Sequence, residues 1–468
     1  MASERMTAAG PRARTGYVVF ISTVAAVGGF LFGYDTAVIN GTVGALERHF
    51  EADPGRLGFA VAAALLGSAL GALVAGRVAD SSGRVQTMKL TALLFAASSI
   101  GSGIAQTLWA FSAWRFLGGI AVGAASVIAP AYIAEVAPAR MRGRLGSLQQ
   151  LAIVVGIFLA LLVNDLIAHT AGSPDAPFWF GVPAWRWMFW VEVLPSLVYG
   201  IGAFLVPESP RYLVATGRPT DAAAILSRIG EPDVPERVRE IQKTLTGAER
   251  PRFRDLKAPT GGLLPIVWTG IALSVFQQFV GINVIFYYST ALWHSVGYTE
   301  ADSMRITTIT GVINILTTLI AIAFVDRFGR KPLLLAGSIG MAATLGTMAA
   351  LFARAPLDAH GSPVLSGASG TAALVAANLY VFAFGFSWGP IVWVLLGEMF
   401  ANRIRGAALA LAASAQWIAN WLVTLTFPAL SKEGLGFAYG LYTAAAVLSL
   451  VFVARRVRET KGRALEDM

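Results

Sequence analysis

Long apolar stretches alternate with short polar ones along almost the whole chain. Apolar runs fall near residues 17–39, 57–79, 86–106, 108–134, 145–168 and 186–206, and again near 263–293, 304–325, 333–353, 372–397, 406–430 and 436–454. A bilayer-crossing helix needs about 20 mostly apolar residues, so the pattern predicts about twelve crossings. In hydrocarbon the backbone must satisfy its own polar groups, and runs of this length do so as helices. The stretch from Glu208 to Gly261 is different in kind. It is rich in Arg, Glu, Asp and Pro and holds amphipathic pieces at 220–229 and 235–245, which predict short helices outside the membrane joining two membrane halves. The expected organisation is a tail over 1–16, a six-helix bundle over 17–206, linker helices over 207–261, a second six-helix bundle over 262–455 and a tail over 456–468.

Composition agrees with this layout. Of 468 residues 56% are hydrophobic and 13% charged, and the mean hydropathy is +0.63. That is too apolar for a soluble globular protein of this size. The absence of cysteine excludes disulfides, thiolate metal sites and thiol catalysis. The net charge of +9 is not a nucleic-acid signature, because the basic residues gather in alternate connections between apolar runs. They cluster at Arg77/Arg84/Lys89, Arg140/Arg142/Arg144, Arg211 to Lys257, Arg327/Arg330/Lys331, Arg403/Arg405 and Arg455 to Arg463. This positive-inside pattern predicts a plasma-membrane protein, the inner membrane in a bacterium, with both termini cytoplasmic. No small-residue cleavage site follows a short apolar core near the amino terminus, so no signal peptide is expected.

Polar groups inside the apolar runs carry the candidate chemistry. The stretch Phe276 to Ser289, FQQFVGINVIFYYS, places two adjacent amides, a glycine, a third amide and two tyrosines within one span. A lone amide in a membrane helix usually serves as interhelical glue. This many hydrogen-bonding groups beside a glycine that loosens the helix point to a solute site, and amides suit a neutral, hydroxyl-rich solute. Ionisable groups within spans are few: Asp35, Arg115 and Glu192 stand out. Each costs about 2.5–3.5 kcal/mol at the bilayer centre and so should have a partner or a task. Asp35 and Arg115 are read either as a fixed salt bridge or as a switch, the carboxylate staying ionised beside Arg115 and taking up a proton when separated from it.

The punctuation of the chain repeats. Asp80-Ser-Ser-Gly-Arg84 recurs as Asp326-Arg-Phe-Gly-Arg330, Arg142-Gly143 as Arg405-Gly406, and Glu208-Ser-Pro-Arg is echoed by Glu459-Thr-Lys-Gly. A duplicated six-span unit explains this and places a ligand between the halves near mid-membrane. Asp80, Glu135, Asp326 and Glu398 lie at span ends beside Arg84, Arg142, Arg330 and Arg405, so charge pairs are expected to clamp the halves on the inner face. Exposed pairs contribute only about 0–1 kcal/mol each, and plain solvated charge is the bland alternative. Spacings such as Gly29/Gly33, Gly67/Gly71 and Gly119/Gly123 suit close helix packing. There is no Walker lysine motif, and His49, His169, His294 and His360 share no helical face with a carboxylate. No metal, cofactor, nucleic-acid partner or enzymatic activity is implied, and nothing requires more than a monomer.

The ordered set GRVADSSGR from Gly76, PESPR from Pro207, FQQFVGIN from Phe276, DRFGRKP from Asp326, WGPIVW from Trp388 and RETKG from Arg458 resembles the sugar porter family of the major facilitator superfamily over nearly the whole length. Within it the chain looks most like bacterial proton-coupled transporters for xylose and glucose. The resemblance implies an all-α fold of two pseudo-symmetric six-helix halves and import of a neutral monosaccharide with a proton by alternating access. It implies sugar contacts from Phe32, Gln277, Gln278, Asn283, Tyr287, Asn314, Trp393, Gln416 and Trp417. It matches Asp35 to the proton-coupling aspartate, Glu192 to a further acidic position, and the inner-face charges to a latch of the outward-facing state. Two positions depart from the family: Ser81, where Arg is usual, and Ile157, where a sugar-binding Gln is usual. A facilitative uniporter, an inositol or polyol symporter and a non-transporting nutrient sensor remain as alternatives.

Overall fold

The computed structural model describes residues 11–138, 141–247, 253–258, 261–356, 364–365, 367–400 and 404–459. The side chains of Arg142, Asp326 and Arg405 lie outside the described residues. Apart from two isolated bridges, Pro177 with Pro183 and Lys257 with Leu263, the described regular structure is helical. Among the described residues twelve helical segments are long and apolar enough to cross a membrane. Spans 1 to 6 are Thr15–Phe50, Pro54–Ser82, Arg84–Ile104, Leu108–Val136, Leu148–Ala171 and Ala184–Leu205. Spans 7 to 12 are Pro265–Ser295, Glu300–Phe324, Arg330–Ala353, Gly367–Leu396, Ala407–Glu433 and Leu435–Arg456. The helices Pro210–Ala215, Pro219–Ile229 and Val234–Gly247 lie between the halves, where the amphipathic pattern placed 220–229 and 235–245. Because the number of spans is even, both ends of the bundle lie on one side, called here the terminal face.

Four spans are interrupted, and the breaks fall where polar side chains sit. Span 1 passes through a 3-10 turn, Ile39–Thr42, and continues as Val43–Phe50, so it runs past the end expected near residue 39. Span 6 breaks at Glu192, span 7 at Val280–Gly281 and span 10 at Phe386–Ser387. Gly281 adopts φ +83°, and a β-carbon there would meet the Tyr442 ring at 2.8 Å. No other residue fits both the left-handed backbone and the contact. Broken helices of this kind free backbone groups to line a cavity. Elsewhere glycines bring backbones together: Gly67 and Gly119 each approach a main-chain oxygen of the facing helix, joining spans 2 and 4 as their spacing predicts.

The repeated motifs build the same device twice on the terminal face. Gly83 and Gly329 turn the chain with φ +96° and +88°, and the next helix starts at the arginine that follows. Glu208 then accepts the N–H of Arg84 at 3.0 Å and that of Val85 at 3.2 Å. Glu459 does the same for Arg330 and Lys331, both at 3.0 Å. Each carboxylate thus caps the positive end of a membrane helix. Each arginine also grips a second acid in a fork: Arg84 holds Glu135 at 3.0 and 3.1 Å, and Arg330 holds Glu398 at 3.1 and 2.8 Å. Asp80 joins the first set at 3.1 Å from Arg84. These described pairs lie inside one half or the other; the remaining charges of the expected clamp, Arg142, Asp326 and Arg405, have side chains outside the described residues.

Candidate functional site: a cavity between the halves

The halves meet where spans 1, 2 and 5 face spans 7, 11 and 8. The cross-seam hydrogen bonds and ion pair described lie on the face opposite the termini. Asn40 binds span 7, Thr308 donates to the Leu161 carbonyl at 3.4 Å, and Arg48 pairs with Glu300 at 3.3 Å while also holding Asp175 of its own half. Gly58 packs against the Leu425 carbonyl and Pro428 in the same layer. Beneath this seal is a cavity of about 910 Å³, a volume that includes open solvent. Trp393 on its wall is 43% exposed.

All nine expected solute contacts, Phe32, Gln277, Gln278, Asn283, Tyr287, Asn314, Trp393, Gln416 and Trp417, line this one cavity. The break in span 7 sets the first group. Gln277 and Gln278 end the helix Pro265–Phe279, Asn283 and Tyr287 begin the next, and Gly281 turns both toward the same space. Gln277 donates to the carbonyls of Trp388 at 2.8 Å and Gly389 at 3.1 Å, just past the break in span 10. Its own carbonyl oxygen is buried without a partner, as is that of Gln416. Gln278 accepts from Asn283, so these two amides orient each other. A buried amide oxygen left open costs about 1–3 kcal/mol unless a ligand or water fills the position. Trp417 meets Phe32 across the seam with ring centres 5.8 Å apart, an aromatic wall suited to the apolar side of a ring-shaped solute.

Four more polar residues line the cavity: Thr36, Gln150, Thr318 and Asn420. Sequence reasoning missed them, yet each has a helical address. Thr36 and Thr318 stand one turn beyond Phe32 and Asn314, Asn420 one turn beyond Gln416, and Gln150 two turns before Ile157 on the same face of span 5. Ile157 itself faces the cavity, so span 5 offers an alkyl group there and an amide at Gln150.

The ionisable residues sit beside the cavity, inside the amino-terminal half. Arg115 donates to the Asp35 carboxylate at 2.7 Å and to the Asp35 main-chain oxygen at 2.8 Å. The two side chains are only 2% and 1% exposed. One oxygen of Asp35 and the Nε of Arg115 have no partner, so the fork is incomplete. Phe189 lies 5.7 Å from the guanidinium. Glu192, fully buried at the break in span 6, accepts from Ser99 at 3.0 Å and leaves its other oxygen unpaired. Arg186, a buried cation the sequence reading did not single out, donates to the Gly103 carbonyl at 2.7 Å. Among the described residues no cluster of three His, Asp or Glu able to hold a metal occurs.

Comparison with known proteins places this architecture. Residues 21–468 match the family profile described as "Sugar (and other) transporter". The chain is 63% identical to a glucose transport protein of Synechocystis sp., with 97% of each chain covered. It is 39% identical to the D-xylose-proton symporter of Escherichia coli, covering 97% of this chain and 95% of that one. The inward-open structure of the E. coli xylose transporter superposes with a TM-score of 0.80 at 39% identity, over 96% of this chain and 98% of that one.

Proposed function

Because the chain belongs to the sugar porter family of the major facilitator superfamily, we propose that it imports a neutral monosaccharide of the glucose or xylose type together with a proton. The observation that carries this reading is a neutral, amide-lined cavity with an incomplete, fully buried Asp35–Arg115 pair next to it. Carboxamides of spans 7, 8 and 11 bind hydroxyls, and Trp393 and Trp417 cover the apolar side of the sugar ring. Asp35 takes the proton. While it is ionised Arg115 holds it; once it is protonated the pair loosens and the amino-terminal half is freed to rock. The terminal face is the cytoplasmic one, as the basic connections indicate, and the cavity then stands open to the cytoplasm. The proton gradient across the plasma membrane supplies the drive, and the inner-face charge sets hold the opposite, outward-facing state.

Radiolabelled glucose and xylose uptake into proteoliposomes with an imposed pH gradient tests the proposal. Accumulation that follows the gradient and collapses with an uncoupler is the expected result. Uptake that only equilibrates and ignores the uncoupler would make the protein a uniporter. A competition panel with inositol and polyols fixes the solute class.

A further inference from the structure

Asn40 is 1% exposed and stands in the 3-10 turn that ends the main helix of span 1. Its side chain crosses the seam. The amide nitrogen donates to the carbonyls of Phe286 at 3.0 Å and Ile285 at 3.4 Å, and the amide oxygen accepts from the Thr290 N–H at 3.1 Å and the Thr290 hydroxyl at 2.6 Å. Both donor hydrogens and both lone pairs are used. The carbonyl of Phe286 and the N–H of Thr290 face each other across one turn of span 7, so the carboxamide engages that turn as a peptide group would.

The position of Asn40 along span 1 gives this contact its consequence. Five residues earlier, Arg115 holds Asp35 by its carboxylate and also by its main-chain oxygen, so a change in that pair acts on the backbone leading into the turn. On the partner helix, Asn283 and Tyr287 line the cavity within two turns of the residues Asn40 grips. Resting on the proton-coupled reading above, we infer that Asn40 is the positioning residue that ties the proton-carrying span to the solute-carrying span. It seals the outer side only while span 1 is held in the conformation seen here. The titratable and charged groups around Asp35 are Arg115 from span 4, Glu192 from span 6, Tyr34 on span 1 itself and Tyr287 from span 7. Span 3 offers the hydroxyls of Ser98 and Ser99. None of these touches Asn40 through a described hydrogen bond, so Asn40 acts through span 1 and not as a proton carrier.

The chain contains no cysteine, so the Ile153→Cys protein carries one label site on the cavity wall. In right-side-out vesicles its reaction with a membrane-impermeant maleimide from the outer side, divided at each pH by the rate of free cysteine to remove thiol ionisation, reports opening of the seal. With Asn40 intact the rate should vary with pH. Asn40→Ala should raise it about tenfold and flatten its pH profile while equilibrium sugar binding persists, the loss of two or more buried hydrogen bonds being enough for such a shift. Thr290→Val, which removes one donor and keeps the backbone contact, should give a smaller change of the same sign, about threefold. This second variant serves even if Asn40→Ala folds poorly. An Asn40→Ala or Thr290→Val protein with unchanged rate and pH profile would overturn the role of Asn40 and leave proton coupling standing. A pH-independent rate in the Ile153→Cys protein with Asn40 intact would overturn the coupling reading and this inference together.

Discussion

In the amino-terminal half, the described buried polar residues include Asp35, Arg115, Arg186 and Glu192, four ionisable groups in one bundle. In the carboxyl-terminal half the corresponding residues are Gln277, Gln278, Asn314 and Asn420 with a set of hydroxyls, and none of the described buried side chains is charged. The two halves nevertheless share a frame down to the glutamate caps on spans 3 and 9. The helix ends match in the two halves, while the interiors differ. The division has a physical sense. A neutral amide site holds an uncharged solute without changing its own charge, whereas a titrating carboxylate changes the energy of everything close to it in low dielectric. On the proposed proton-coupled reading, placing the two in separate bundles lets each respond to its own ligand and leaves the seam to connect them.

The most severe way to break this contrast is to remove the charge. Asp35→Asn should abolish accumulation against a gradient and keep counterflow exchange, measured in the same proteoliposomes with and without a pH step. Retained pH-driven accumulation would move the coupling group elsewhere. On the other side of the comparison, Gln278→Ala should weaken sugar binding by about 1–3 kcal/mol, because a sugar hydroxyl and the Asn283 amide both lose a partner. Isothermal titration checks it, and an unchanged affinity would return Gln278 to a packing role. Ile157→Gln asks whether the amino-terminal half can be made to share in binding. It should tighten hexose binding by about 1 kcal/mol, the net value of one added hydrogen bond, and a competition assay that detects no gain would mean the ring sits out of reach of span 5. Smallest are the paired caps. Glu208→Gln and Glu459→Gln should each lower stability by about 0.3–1 kcal/mol, and by similar amounts, since both act on a helix dipole at its end. Thermal unfolding in detergent measures both, and a large inequality would show that the frame has diverged with the interior.

Much of the fold was legible in the chain because hydrocarbon imposes so strict a code. A run of apolar residues long enough to cross has to be a helix, and the twelve runs read from the sequence are the twelve spans of the structure. Site residues were legible to the extent that a polar group in such a run needs a reason, and Gln277, Gln278, Asn283 and Tyr287 all reach the cavity. Gln150, Thr36, Thr318 and Asn420 escaped because hydroxyls and single amides also serve as glue, and only the shared helical face separates the two uses. The described partners within the arginine–carboxylate sets could not be read from the chain, because spacing names partners by type and leaves open which bundle supplies them. Their second acids come from span ends distant in the chain but within the same half, Glu135 for Arg84 and Glu398 for Arg330.

The sequence by itself determined the number of crossings, their division into matching halves, the neutral character of one polar stretch and the rarity of charge in the rest. These follow from local cost, since each residue is weighed against lipid, water or a nearby backbone wherever it lies. Only the tertiary structure decided which polar groups share a cavity, that Arg115 completes only part of its fork with Asp35, and that Asn40 spans the seam to grip span 7. Those depend on where helices break and how two bundles meet, and the energies that set such meetings come from contacts between residues far apart in the chain, 250 positions for Asn40 and Thr290.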